Sequence, residues 1–306
     1  MTNQIKNAPS KALEQLLEVA RHTFRSGHLY WPKKEPHITF VCGKAPDLPD
    51  SLRTSFLEFN RTLSPQDQLT PILAEATFKS LIQLDRQSPH NLATLEKLIA
   101  DIADSVIVFL ESPGAIAELG YFSAFEEICS KTIVIIEDAH QWPSFISTGP
   151  AATCTALTRY QPGKVVINKT NPTPAFQQVH ALVQPHIKEK STRTSFEEIT
   201  NFKSLNTRSQ FFLLRELIYC FSPLCGEDMY FLIKSLFGVF DKTKLLRSFA
   251  VLQAIENGIQ KDESGLFYIA TGFGTLLDYD SNALKATVLM FYEKHMRERY
   301  PSGGAA

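Results

Sequence analysis

What most constrains the fold of this chain is a set of short, unbroken apolar runs. His37–Cys42, Ser105–Leu110 and Thr132–Ile136 have strand length and are rich in β-branched residues. They lack the in-and-out alternation of a strand with one wet face, so each has to be covered on both sides. Between them the period changes to that of helices, near Leu52–Asn60, Asn91–Ala103 and Ile116–Cys129. Leu69–Ala74 and Lys164–Ile167 read as further strands, and Thr173 to about Ile187 as a closing helix. Strand and helix in alternation predict an α/β fold: a doubly wound parallel five-stranded sheet with its ligand site at the carboxyl ends of the strands.

The flanking segments have a different character. Ser10–Phe24 repeats apolar residues at Leu13, Leu16, Leu17, Ala20 and Phe24, an amphipathic helix within an N-terminal helical extension, residues 1–36. The α/β domain is expected over 37–187. Lys188–Thr194 contains no apolar residue and is read as the boundary. From 195 to 306 the chain is Phe- and Leu-rich and mainly helical. Helices at Gln210–Cys220, Asp228–Phe237 and Lys242–Asn257 precede a strand at Ile259–Lys261, a turn at Asp262–Gly265 and a strand at Leu266–Ala270. Three helices and a hairpin predict a winged helix. A last helix, Asn282–Arg299, is expected to pack on it or on a second subunit, and Ser302–Ala306 to form a loose tail.

Composition removes several function classes. Thirty-one basic residues against thirty-two acidic ones leave no protein-wide positive field, so any nucleic-acid contact has to be local. No apolar run approaches the length a bilayer requires, and Glu14, Glu18 and Arg21 interrupt any signal-peptide core. A cytoplasmic protein is expected. Five cysteines at irregular spacings argue against a disulfide framework, and Cys220 and Cys225 lack the partners of a zinc site. No metal site is expected. The histidines form no HExxH or Ser-His-Asp order, and no Walker A or GxGxxG segment follows a strand.

The chemistry concentrates in Glu111-Ser112-Pro113-Gly114-Ala115-Ile116-Ala117-Glu118-Leu119-Gly120, which follows the Ser105–Leu110 strand where the fold puts ligands. Ser112, Pro113 and Gly114 suit a tight turn whose backbone N–H groups face a ligand, and a helix opens after them. Glu118 in its first turns is expected to be held ionised by the helix dipole, as a nucleophile or oxocarbenium stabiliser at a sugar C1′. The plainer alternative is that Glu simply favours a helix N-terminus.

Glu118-Leu119-Gly120 resembles the nucleophile segment of the nucleoside 2-deoxyribosyltransferases, and Phe40-Val41-Cys42-Gly43 is similar to their first strand end. Glu96, eight residues before Asp104, stands where that family usually has Asp, and Ser112 where it tends to have a base-contacting Asp. More closely, Ile38–Gly43, Glu111–Gly114, Glu118–Gly120, Phe145-Ile146 and Gly149-Pro150 resemble, in the same order, segments of retron effector toxins that join a deoxyribosyltransferase-like domain to a winged-helix domain. The resemblance covers about residues 37–150 and extends loosely beyond. It implies a toxin of anti-phage defence held inactive by a reverse transcriptase and its multicopy single-stranded DNA, an N-glycosidase acting on NAD or a related nucleotide. It also implies a homo-oligomer. NAD enters as substrate; no cofactor is implied.

In that reading Glu118 attacks or stabilises C1′, and Glu96 orients ribose hydroxyls or activates water. Gly43, Ser112 and Gly114 contact substrate. Asp104 orients the start of the strand. Lys242, Lys244, Arg247 and Lys261 are the candidate nucleic-acid contacts of the winged helix. Acidic residues slightly outnumber basic ones from 195 to 306, so protein docking is an equal alternative for that domain. The competing function is a non-catalytic nucleotide-sensing winged-helix regulator. Transferase or phosphoribohydrolase chemistry is the enzymatic second choice.

Overall fold

The computed structural model describes residues 4–25, 37–45, 48–84, 91–138, 143–189, 202–255, 258–261, 268–270, 275 and 277–299. Two compact units emerge, Pro36–Ser191 and the combination of Met1–Glu35 with Thr192–Ala306.

Helix α1 (Ser10–Arg25) precedes the first unit, which runs β1 (Ile38–Cys42), α2 (Leu52–Thr62), β2 (Thr70–Ile72), α3 (Ala74–Leu84), α4 (Leu92–Ile102), β3 (Ser105–Phe109), α5 (Pro113–Phe122), α6 (Glu126–Cys129), β4 (Thr132–Glu137), α7 (Phe145–Thr148), α8 (Pro150–Leu157), β5 (Lys164–Ile167) and α9 (Thr173–Glu189). The five strands are parallel, in the order β2-β1-β3-β4-β5. β1, β3 and β4 are buried along their whole length, as their unbroken apolar runs require. The edge strand β5 alternates exposed and buried residues. Pro71 sits in the other edge strand, β2, where a missing N–H disrupts no ladder.

Alternate residues serve the two faces. Val41, Ile107, Phe109, Ile133, Ile135, Val165 and Ile167 form one core with Phe56 of α2 and Phe176, Val179 and Val183 of α9. Phe40, on the opposite face, packs edge-on against Phe122 of α5, ring centroids 5.9 Å apart. Strand order reverses between β1 and β3, so Cys42-Gly43 and Leu110-Glu111 meet at the crevice where such sheets bind ligands.

Local boundaries differ from expectation where one pattern hid another. The strand expected over Leu69–Ala74 is only Thr70–Ile72, and Ala74 already opens α3, a helix that the apolar run concealed. The helix expected over Ile116–Cys129 starts earlier, at Pro113, and breaks into α5 and α6 around Ser123–Phe125. Helices α7 and α8 went unread. Lys188 and Glu189 continue α9, while residues 190–194 of the expected boundary lie outside the described residues.

The second unit contains α10 (Thr207–Phe221), α11 (Gly226–Phe237), α12 (Lys242–Ala254), the antiparallel pair β6 (Ile259–Lys261) and β7 (Tyr268–Ala270), and α13 (Ser281–His295). Tyr268 stacks on Phe249 of α12 at 5.4 Å and exchanges two backbone hydrogen bonds with Leu224, of 3.1 and 2.6 Å. The hairpin is thereby tied to the helices before it. The expected turn at Asp262–Gly265, the strand's first residues Leu266 and Phe267, and the tail lie outside the described residues. The last helix ends at His295, and Arg297–Arg299 form a 3-10 turn.

The N-terminal helix is not a free extension. The amide of Ile5 donates to Asp228 Oδ1 at 2.8 Å, Phe24 meets Phe237 edge-on with centroids 6.2 Å apart, and the Arg25 guanidinium donates to the Leu236 carbonyl. Its apolar stripe, Leu13, Leu16, Leu17, Ala20 and Phe24, is buried as part of the helical unit.

Candidate functional site

A cleft of about 530 Å³ is lined by Glu75, Phe78, Ile82, Leu92, Glu96 and Glu118 among others. Helices α3, α4 and α5 each contribute one carboxylate. Glu118 stands on α5 because Ser112, with its Oγ accepting from the Ala115 amide at 3.2 Å, starts the helix with Pro113 next in line. That puts Glu118 in the second turn.

From there it does not meet the free N–H groups of the helix start, and the expectation of a carboxylate held ionised by the helix dipole is corrected. Burial pushes Glu118 upward from its ordinary range. Opposing that rise, the Cys42 thiol hydrogen-bonds to the Glu118 carboxylate, the Arg53 charge lies nearby, and Glu96 also hydrogen-bonds to it. One carboxylate oxygen, Oε2, is buried without a partner. Glu96 is only 7% exposed. Burial first, then the charges of Glu118 and Glu75, push its pKa up to about 7. With Glu96 buried, Glu118 half-buried and the two interacting, ionising both at once is costly. Such a pair favours the state with one ionised group, able to attack, and one protonated group, able to give up a proton.

Cys42, 1% exposed at the end of β1, keeps its thiol proton because burial and the Glu118 charge raise its pKa well above the ordinary value. It can only donate. Arg53, near the start of α2, holds Glu75 through Nη2 to Oε1 at 2.7 Å and Nη1 to Oε2 at 3.2 Å. Cys42, Arg53 and Glu75 were not singled out from the sequence. A thiol just before Gly43 at a strand's carboxyl end was the one available sign; Glu75 was hidden by the overlong strand.

Other expected residues are placed differently. Gly43 lines neither cleft described here. A Cβ there would come within 2.8 Å of Glu111 Oε1 and 2.9 Å of Arg53 Cβ, so the glycine admits Glu111, which accepts from the amides of Lys44, Leu52 and Arg53 at 3.0, 2.7 and 3.1 Å. Ser112 spends its hydroxyl on the helix cap and borders a second cavity of about 390 Å³, with Glu111, Pro113, Ser144 and Lys169. Lys169 there pairs with Glu137 at 2.7 Å. A Cβ on Gly114 would meet only Ser112 Oγ, at 3.8 Å. Asp104 accepts from the Ile38 amide at 3.0 Å and so orients the start of β1.

In the helical unit, Lys242 and Lys261 are exposed while Lys244 and Arg247 are half-buried. Lys244 Nζ contacts Thr207 Oγ1 at 3.5 Å. Asp241 caps α12, accepting from the Thr243 and Lys244 amides at 2.8 and 3.3 Å. A carboxylate thus sits at the head of the basic turn. Among the described residues no cluster of three or more His, Cys, Asp or Glu is arranged to hold a metal ion, and no helix is long and apolar enough to cross a membrane.

Comparison with known proteins bears on this arrangement. The chain is 22% identical over 284 residues to the Retron Ec73 putative ribosyltransferase/DNA-binding protein of Escherichia coli, covering 88% of each chain. It is 36% identical over 113 residues to the Retron Ec86 protein of the same description and organism, covering 36% of this chain and 35% of the relative. The sequence model of the STM3845 retron effector protein family matches residues 49–260, a span that takes in α2 to α12 and with them Arg53, Glu75, Glu96 and Glu118. On that match the chain belongs to the retron effector family.

Proposed function

We propose that this effector is an N-glycosidase whose α/β unit, deoxyribosyltransferase-like in kind, cleaves the N-glycosidic bond of NAD or a related nucleotide. The observation that carries the reading is that Glu96 and Glu118 line one cleft together with Phe78, Ile82 and Leu92, with Glu96 pushed up to about 7 by burial and by the Glu118 and Glu75 charges. The relatives' ribosyltransferase description supports the same reaction class.

In the proposed reaction the Glu118 carboxylate attacks C1′, or stabilises positive charge there, as the C1′–N bond breaks and its electron pair leaves with the base. A neutral base takes the Glu96 proton; nicotinamide, already cationic in NAD, leaves without it. The water that attacks C1′ gives its proton to Glu96, ionised by the first step when the base is neutral and, for NAD, in the fraction of molecules whose Glu96 is already ionised near pH 7; this frees the sugar and restores Glu118. Cys42 donates to the Glu118 oxygen throughout and Arg53 fixes the neighbouring Glu75.

The helical unit serves as a winged helix. Three helices, a hairpin and the Leu224–Tyr268 bridge support that assignment. Through it the effector is held inactive by the retron reverse transcriptase and multicopy single-stranded DNA, with Lys242, Lys244, Arg247 and Lys261 as the nucleic-acid contacts.

The test is incubation of purified protein, alone and with its reverse transcriptase and DNA, with NAD and a panel of nucleotides, reading released base by chromatography beside Glu118→Gln. Base release from the free protein, abolished by the substitution and suppressed in the complex, is the expected result. Binding without turnover in either state would favour the nucleotide-sensing regulator instead.

A further inference from the structure

The cleft presents two chemically distinct kinds of surface. Phe78, Ile82 and Leu92 give it apolar surface, and Glu75, Glu96 and Glu118, with Lys79 and Gln83, give it polar surface. The reaction uses Glu96 and Glu118 but leaves Glu75 without a role.

Glu75 is not placed by chance rotation of an exposed side chain. Half of its side chain is exposed, yet both oxygens are held by an arginine whose side chain is only 3% exposed. Arg53 is itself fixed, because its side chain is packed away from solvent and its backbone amide donates to Glu111 at 3.1 Å. A planar fork on a packed stem restricts the carboxylate to one orientation. The result is a rigid anion on the cleft wall.

An ionised carboxylate has only acceptor capacity, and the fork occupies one lone pair of each oxygen, which leaves acceptor positions for a ligand. A ligand group facing Glu75 itself must bring donors; a phosphate is repelled there, and the group in the lining that suits one is Lys79. Within a nucleotide, the neighbouring neutral donors are the hydroxyls of the sugar, while the base suits the apolar surface.

We infer that Glu75, clamped by Arg53, is a substrate-binding residue that accepts hydrogen bonds from ribose hydroxyls of a nucleoside unit whose base lies against Phe78, Ile82 and Leu92. The site thereby selects ribosyl over deoxyribosyl substrates. The inference rests on the reading of this cleft as a glycosyl site.

The experiment is calorimetric binding to full-length Glu118→Gln protein, which holds ligand without turnover. The probes are adenosine and nicotinamide riboside, each beside its 2′-deoxy and 2′,3′-dideoxy counterparts. Hydrogen bonds to a charged acceptor should make the ribosides bind about ten- to a hundredfold tighter than the dideoxy compounds. Adding Glu75→Gln should erase that preference in protein that is still folded, at a melting temperature lowered by the loss of the Arg53 ion pair. Equal binding of all three sugars, no binding of any probe, or a preference that survives Glu75→Gln would overturn the inference. If Glu75→Gln fails to fold, the ligand series on the folded parent still decides it. Ribose-selective binding without base release in the unsubstituted protein would sink the glycosidase reading and leave this assignment standing.

Discussion

Glu96 titrates near 7 instead of at its ordinary 4.5, and the sign of that displacement gives two measurable consequences. Between those values the folded protein binds a proton that the unfolded chain has released, so stability falls as pH rises and levels off above about 7. Glu96→Gln removes the loss and should raise stability at neutral and alkaline pH by up to about 3 kcal/mol, with no gain below the ordinary value. Urea denaturation on either side of the interval checks it. In activity, kcat/KM for a nucleotide with a neutral base should decline above about pH 7 as Glu96 loses the proton, and Glu96→Gln should remove that limb. NAD, with its cationic leaving group, should show the limb weakly. The acid limb belongs to Glu118 and is set partly by Cys42, whose thiol donates to it. Cys42→Ala should move this limb to higher pH, lowering kcat/KM at mildly acidic pH about tenfold, while Cys42→Ser keeps a donor and most of the activity. A pH profile that is the same in the Ala variant would mean the thiol only fills space.

At the scale of elements, the site depends on how the β1–α2 and β3–α5 connections meet. Glu111 accepts from the Lys44 amide after β1 and from the Leu52 and Arg53 amides at the start of α2, and can do so only because Gly43 has no side chain. Gly43→Ala should force Glu111 or Arg53 to move and cost about 1–3 kcal/mol in urea denaturation. It should also lower substrate affinity, because Arg53 holds Glu75. None of this was legible in the sequence: Gly43 was expected to touch substrate, whereas it touches Glu111, a contact across 68 residues that no local pattern encodes. By contrast β1, β3 and β4 were readable to within a residue or so, since burial on both faces leaves an unbroken apolar run. Glu118 was readable because it shares a helix with its turn, and Glu96 through the resemblance. Helix α3 and its Glu75 were lost because Leu73 and Ala74 extend the apolar run of β2 without a cap residue to mark the change. The dipole argument for Glu118 failed for a simple reason of counting: six residues beyond the cap, a side chain is past the free amides.

Across the whole molecule, the chain's two ends are joined in one unit while the middle of the sequence folds as the other. The joint is Asp228. Its side chain, wholly buried, pairs with Arg299 at 2.6 Å and accepts from the amides of Ile5 at 2.8 Å and Cys225 at 3.1 Å. One carboxylate thus satisfies the N-terminal turn before α1, the cap of α11 and the 3-10 turn after α13. Asp228→Ala removes the buried Arg299 ion pair and leaves two amides without this acceptor, which should destabilise the helical unit by about 3–5 kcal/mol. Asp228→Asn keeps an acceptor for the amides and should cost less. Hydrogen exchange measures this by element: in Asp228→Ala, protection should fall in α1, α11 and α13 while β1, β3 and β4 keep theirs, because the sheet has its own core. If the helical unit is what receives the inhibitory partner, the same variant should retain base release and lose its suppression by the reverse transcriptase and DNA. Loss of protection spread evenly over both units would instead mean that they unfold together, and release would then fall with suppression.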